Sequence, residues 1–238
     1  MYELEDQPWF PRLLREFQTG YIGYLTARWA GYSRLLPLLH DPQCTAREQV
    51  DLCSGSGEPA ITVFGGVARF THLILTDLYP QHGVIQDAHI TYDQRPMDAR
   101  SFEPRSGTCY TMFNALHHFD DRDKVRLVHK LRAAGAEALL VEVLEPTVLC
   151  LCKVVLASTL GVLVFTPFVR PFSLARLLLT YVIPINIITI TWDGLVSVLR
   201  SRSKSRYRAL FAADPQGITV HHLQSRWRSI IAIQLLPS

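Results

Sequence analysis

A chain of 238 residues with 48% apolar side chains is long enough for one domain with a large core, or for one domain carrying an insertion, and too apolar for disorder. Its formal net charge of +3 is too small to argue for a nucleic-acid partner. The five cysteines, at 44, 53, 109, 150 and 152, include no C-x-x-C pair, so they make a poor disulfide framework and fit a reducing, cytoplasmic setting. The opening MYELEDQPWF is acidic and aromatic, unlike a secretory signal.

Residues 9–40 read as helical, with Phe10, Leu13, Leu14, Phe17, Tyr21, Tyr24 and Leu25 recurring at spacings of three or four. Gly20, Gly23 and Gly31 predict a break, and Asp41-Pro42 ends the segment. Short apolar runs then alternate with helical stretches. Strands are expected at 49–53, 72–78, 90–94, 107–113 and 138–144, with helices at 58–69 and 120–134 and a short helix or turn at 80–88. Asp120 and Asp121 are suited to cap the second helix at its start, and Gly135 to close it. This alternation implies an α/β fold, a parallel sheet covered by helices on both faces. Residues 217–223 and 229–236 read as a C-terminal hairpin that adds antiparallel strands at one edge.

Between them, Thr147–Leu199 breaks the pattern. Residues 148–169 and 172–191 are strongly apolar, with Lys153 and Arg176 among their few charges, and each is long enough to cross a bilayer. The short Arg170-Pro171 connection and the prolines at 167, 171 and 184 argue against a simple transmembrane hairpin. Three readings stay open: a membrane span, an apolar lid over a site, and a lid that also rests on a membrane surface. The cluster Arg200, Arg202, Lys204, Arg206 and Arg208 supports the last through attraction to anionic lipid; its plain alternative is a solvated helix face.

The stretch VDLCSGSGEPA, residues 50–60, ends a strand on Asp51 and opens a glycine-containing loop before a helix start at Glu58-Pro59. Gly55–Ala60 fits G-x-G-x-x-[GA], and Asp77 lies about 20 residues further on, as in a dinucleotide site. An adenosyl cofactor would use the same ribose-binding carboxylate, so this pattern alone leaves the cofactor open.

Further residues shift the balance. D-L-C-S-G-S-G resembles the first motif of the class I S-adenosylmethionine-dependent methyltransferases, an acidic residue followed by G-x-G-x-G, with Cys53 in place of the first glycine. Asp77 in LILTDLYP matches the acidic residue that follows the family's second strand. Met97-Asp98-Ala99 stands where the family places a polar contact to adenine, and the run Phe113–Phe119 (FNALHHF) is similar to its segment after strand 4. Residues 166–200 are similar to an insertion in a group of largely uncharacterised bacterial methyltransferases.

The resemblance implies a Rossmann-like, doubly wound, seven-stranded sheet with one reversed strand. It divides the chain into an N-terminal helical cap (1–46), a cofactor-binding core (47–146), an apolar helical insertion or lid (147–208) and a hairpin completing the sheet (209–238). It implies S-adenosylmethionine as cofactor. Asp51, Cys53, Gly55 and Gly57 would face its methionine part, Asp77 and Leu78 its ribose, Asp98 and Ala99 its adenine, and Asn114 and Ala115 its sulfonium.

His118 and His117 are the candidate general bases because imidazole titrates near neutrality; Glu145, and behind it Glu142, are alternatives near the end of strand 5. Tyr21, Trp192 and Asp193 are candidate acceptor-binding residues, with plain packing or an ion pair from Asp193 to Arg200 or Arg176 as the structural alternative. No metal cluster is legible from spacing, since His221 and His222 on a strand point to opposite faces.

The expected activity is methyl transfer to a small, largely apolar acceptor, quinone-, polyketide-, terpenoid- or lipid-like, by a cytoplasmic protein that lies free or peripheral to the membrane's inner face. The alternatives are an NAD(P)-dependent oxidoreductase and a non-catalytic module of the same fold.

Overall fold

The computed structural model describes residues 1–29, 31–82, 87–212, 217–225 and 228–237. Helix α1 (Arg12–Trp29) is followed by Gly31 in the left-handed region (φ 77°), a 3₁₀ turn (Tyr32–Leu35) and the single-turn α2 (Leu36–Leu39). The expected break therefore falls at Gly31, while Gly20 and Gly23 remain inside α1. Gly23 has a packing reason to be there: a Cβ at that position would collide with Ser56 Oγ of the loop after the first strand.

The core continues as β1 (Glu48–Leu52), α3 (Ala60–Phe64), β2 (His72–Thr76), β3 (Ile90–Tyr92), β4 (Thr108–Phe113), α4 (Asp121–Ala133) and β5 (Glu137–Glu142). Helix α3 is less than half its expected length because the chain closes it at Gly65. Asp120 caps α4 as expected, its side chain accepting the Asp123 amide hydrogen. Of the expected helix or turn at 80–88, residues 83–86 lie outside the described residues, and the rest is not helical.

The insertion forms α5 (Val148–Leu156), one π turn (Ala157–Gly161), α6 (Val162–Phe165) and a 3₁₀ turn (Thr166–Phe168). Helices α7 (Leu174–Tyr181), α8 (Ile185–Arg200) and α9 (Lys204–Leu210) follow. Val148–Phe168 is 21 residues long and apolar enough to cross a membrane; α7 and α8 meet at 78°. Strands β6 (Ile218–Ser225) and β7 (Arg228–Leu235) end the chain as the expected hairpin.

The seven strands form one sheet in the order β3-β2-β1-β4-β5-β7-β6. All neighbouring pairs up to β5 are parallel, and β7 runs antiparallel to β5. Every residue of β4 and β5 is buried, as a parallel sheet covered on both faces requires. Val50, Leu52, Met112 and Leu140 face one apolar cluster, and Leu73, Leu75, Phe113 and Leu139 face a second on the opposite side. The strand order reverses between β1 and β4, so their carboxyl ends diverge and open a crevice, the place where open α/β sheets take ligands.

Candidate active site

A cavity of about 300 Å³ lies over that crevice. Its walls include Cys53–Ser56, Asp77–Tyr79, Met97–Arg100, Asn114–Ala115 and His117–Phe119 from the core, with residues from α1, α5 and α8 on the far side.

The loop after β1 is built on left-handed backbone. Cys53 (φ 57°), Gly55 (φ 51°) and Gly57 (φ 86°) all have positive φ, a conformation disfavoured for an L side chain. Cys53 thus adopts the strained conformation in the position where the resembling family has glycine, and it packs against the core. Burial pushes its thiol pKa well up.

Asp77, at the end of β2, braces this loop. Its Oδ2 accepts the Gly55 N–H at 2.8 Å and its Oδ1 the Tyr79 N–H at 2.8 Å. Burial raises its pKa against the pull of these two donors. Asp98 follows β3, with Oδ1 accepting the Arg100 N–H at 2.9 Å. Asp77, Leu78, Met97, Asp98, Ala99 and Phe119 therefore make one end of the cavity apolar with two carboxylates.

Asp51 lies beneath the loop, outside the cavity wall, where Thr111 Oγ1 on the neighbouring strand donates to its Oδ1 at 2.7 Å. Burial pushes its pKa up to about 7. Gly57 also lies outside the wall. Asn114 (φ 54°) receives the Val143 N–H on Oδ1 and donates from Nδ2 to Tyr32, tying β4 to β5 and to the 3₁₀ turn after α1.

The other end of the cavity is a buried polar cluster. His117 Nδ1 lies 2.8 Å from Glu142 Oε2, and His118 Nδ1 lies 2.9 Å from Asp6 Oδ1. Burial alone would lower the pKa of His118, but the carboxylates of Glu3, Asp6 and Glu5 outweigh it and push the value up to about 10. Arg200 donates to the His118 carbonyl at 2.8 Å and approaches Asp6. Glu5 is also pushed up, from the ordinary carboxylate range to about 8, chiefly by burial.

The acidic residues arrive on the N-terminal strap, which Asp193 of α8 holds in place. Its Oδ1 accepts the Leu4 N–H at 2.5 Å, and its Oδ2 accepts the Glu5 N–H at 3.0 Å and Gln18 Nε2 at 2.7 Å. The carboxylate of Asp193 thus binds backbone amides of the strap in place of the expected arginine pair.

Tyr21 lines the cavity, but its hydroxyl is committed to the Ala157 carbonyl in the π turn, at 2.6 Å. Trp192 is largely exposed outside the wall and donates to the Tyr2 carbonyl. Glu145 also lies outside the wall, 3.5 Å from His222. Two arginines of the expected basic cluster, Arg202 and Arg206, pair with Asp121 at the start of α4.

Sequence reasoning missed Glu3, Glu5 and Asp6. The available signal was the acidic run MYELED, which was read only for what it excludes. No spacing rule could bring Glu3 to residues 117 and 118, because Asp193 in the insertion positions the strap.

Human N-acetylserotonin methyltransferase, solved in complex with S-adenosylmethionine, shares this architecture with a TM-score of 0.53 and 15% identity, over 94% of this chain and 57% of that one. The methyltransferase SibL, solved in its apo form, gives a TM-score of 0.51 and 10% identity over 88% of this chain and 56% of that one. The chain therefore spans little more than half the length of these solved structures. No family model matches the sequence, and no curated protein matches it. The chain therefore shares its fold with these two solved methyltransferases.

Proposed function

We propose that this protein transfers a methyl group from S-adenosylmethionine to a small, largely apolar acceptor. The observation that carries the reading is the cavity at the diverging ends of β1 and β4, with Gly55, Asp77, Asp98 and Asn114 on its core-side wall. These residues fit the cofactor. The loop carries left-handed backbone at Gly55, Asp77 offers a carboxylate for ribose hydroxyls, and Asp98 with Met97 and Ala99 offers a polar edge beside an apolar slot for adenine.

The cofactor supplies a methyl group on a sulfonium whose departure leaves a neutral thioether. The chain's own task is to align the acceptor and receive its proton. Ile22, Leu25, Val154 and Ile190 give the far side of the cavity an apolar wall, and His117 is the group that receives the acceptor's proton; His118, whose pKa the carboxylates of Glu3, Asp6 and Glu5 push up to about 10, does not have the near-neutral titration expected of a base. His117 is oriented for this by Glu142.

In this reading residues 147–208 are the lid. They leave Leu149, Leu156, Leu160, Val164, Phe168 and Leu178 exposed, a surface suited to rest on lipid and to admit an acceptor dissolved there.

Calorimetric titration with S-adenosylmethionine, S-adenosylhomocysteine and NADH tests the cofactor. The expected result is micromolar binding of the two adenosyl ligands, none of NADH, and a loss of at least tenfold in affinity on Asp77→Ala. NADH binding alone would move the chain to the oxidoreductases. Binding of none of the three would favour a non-catalytic module.

A further inference from the structure

Each imidazole of the histidine pair commits Nδ1 to a carboxylate, His117 to Glu142 and His118 to Asp6. The other nitrogen of each ring is thereby aimed at one shared atom. Glu3 Oε2 lies 3.8 Å from His117 Nε2 and 3.4 Å from His118 Nε2. These separations exceed good hydrogen bonds. The shorter matches the edge of a tetrahedron around a cation held at about 2.0–2.1 Å, roughly 3.3–3.4 Å, and the longer needs a closing of about 0.4 Å. One ligand atom from each of the three residues lies within 4.8 Å of the other two. A carboxylate on the far nitrogen is also how proteins fix the tautomer and orientation of a metal-binding histidine.

The charge balance points the same way. Glu3 is wholly buried, and its Oε1, like Glu142 Oε1, has no hydrogen-bond partner. The carboxylates of Glu3, Glu5, Asp6 and Glu142 crowd the two rings, while the Arg200 guanidinium reaches Glu3 at 3.6 Å and Asp6 at 3.5 Å. Glu3 and Glu142, the two fully buried carboxylates here, each keep an oxygen without a hydrogen-bond partner, an arrangement that a cation between them and the rings would offset. Ser197 Oγ donates to Glu3 Oε2 at 3.1 Å and steadies the carboxylate from behind. On the cavity side stands Glu5, whose Oε1 lies 3.7 Å from His118 Nε2.

We propose that Glu3, His117 and His118 bind a divalent first-row transition cation of the zinc type, with Glu142 and Asp6 as the outer carboxylates and one coordination position facing the cavity. Two imidazoles and one carboxylate suit Zn²⁺ or Fe²⁺ and disfavour Mg²⁺ and Ca²⁺, which take oxygen ligands. A cation there would polarise an acceptor hydroxyl or carbonyl oxygen. That role rests on the methyl-transfer reading; the cation site itself does not.

The test is titration of the chelator-treated full chain with Co²⁺, followed by visible absorption, and with Zn²⁺ in competition, both without adenosyl ligand. The expected result is one equivalent of Co²⁺ with the intense bands of a low-coordinate site, displaced by Zn²⁺. Glu3→Gln and His118→Ala should weaken affinity at least 100-fold, and Glu142→Gln about 10- to 100-fold, with His89→Ala unchanged. Absence of a stoichiometric band in the wild-type chain overturns the proposal, whatever the variants do, and leaves the cluster a hydrogen-bonded ion network. Wild-type affinity in folded Glu3→Gln also overturns it. Cobalt binding without S-adenosylmethionine binding would sink the methyl-transfer reading and leave this site standing; the reverse result would do the opposite.

Discussion

Strand β5 and helix α5 are both rich in Leu and Val, yet all of β5 (EALLVE) is buried and no residue of α5 (VLCLCKVVL) is. The difference lies in the neighbours. Strand β5 is flanked by β4 and β7 and covered on both faces, so its side chains have no route to water. Helix α5 packs one side against α8 and leaves the other bare; Gly194 permits the close approach, since a Cβ there would meet Val154 at 2.7 Å. Equal hydrophobicity thus stabilises the fold in one region and leaves an exposed apolar surface in the second.

The sharpest way to break this contrast is a matched truncation. Leu140→Ala in β5 should cost about 3–5 kcal/mol in urea unfolding, because it leaves a cavity in a core that cannot collapse. Leu160→Ala, 58% exposed in the π turn, should cost less than about 0.5 kcal/mol. In co-sedimentation with anionic vesicles the order should invert. Leu160→Ala combined with Phe168→Ala should cut binding at least tenfold, from roughly 2 kcal/mol of lost transfer free energy per immersed side chain. A large loss of stability from Leu160→Ala in lipid-free buffer would mean that the insertion's outer face is covered by protein, and the comparison would fail.

A second difference concerns charge. The core buries Asp51 with Thr111 donating to it, and its pKa stands at about 7 against an ordinary 3.8. The sign follows from linkage. With the folded pKa raised, the stability that protonation provides is complete below about pH 4 and is lost as pH rises through 7. A shift of about three units is worth about 4 kcal/mol at pH 8. Asp51→Asn, uncharged throughout, should therefore gain stability over wild type by up to that amount at pH 8 and show little difference at pH 4. Urea midpoints for both proteins across this window decide it. Parallel curves would show that the folded and unfolded chains titrate this carboxyl alike.

The core was legible because its signals are local. Short apolar-rich strands alternating with helical stretches, and Asp120 ahead of α4, place the sheet, and the order of Asp77, Asp98 and Asn114 along the chain follows the core-side cavity wall. The hairpin at β6 and β7 was legible for the same reason. The polar cluster around His117 and His118 was not, because it is assembled from residues near positions 3, 117, 142 and 193 that meet only in the fold. The insertion was legible in composition but not in contacts: Asp193 stood out as a charge in an apolar run, yet its partners are two backbone amides of the strap and the Gln18 side chain, a set that carries no spacing signal. The five-residue α3 was overestimated because apolar spacing continues past Gly65 into residues that turn away from the helix.

Where the core meets the cavity, packing gives way to backbone strain, and Cys53 measures how much. A non-glycine residue in the left-handed region costs about 1–2 kcal/mol, and Cys53 is held there at φ 57°. Replacing it with glycine removes that cost, adds roughly 0.5–1 kcal/mol of unfolded-state entropy against folding, and deletes a side chain packed on the core. The terms nearly cancel, so Cys53→Gly should shift stability by no more than about 1 kcal/mol, the smallest effect of the three. Affinity for the adenosyl ligand should be kept or improved, because the backbone geometry of the loop is retained at lower strain. Thermal unfolding with and without S-adenosylhomocysteine separates the two effects. A loss well above 1 kcal/mol would show that the thiol's packing, and not backbone freedom, sets the residue at this position. The loop would then resemble β5 in being governed by what covers it.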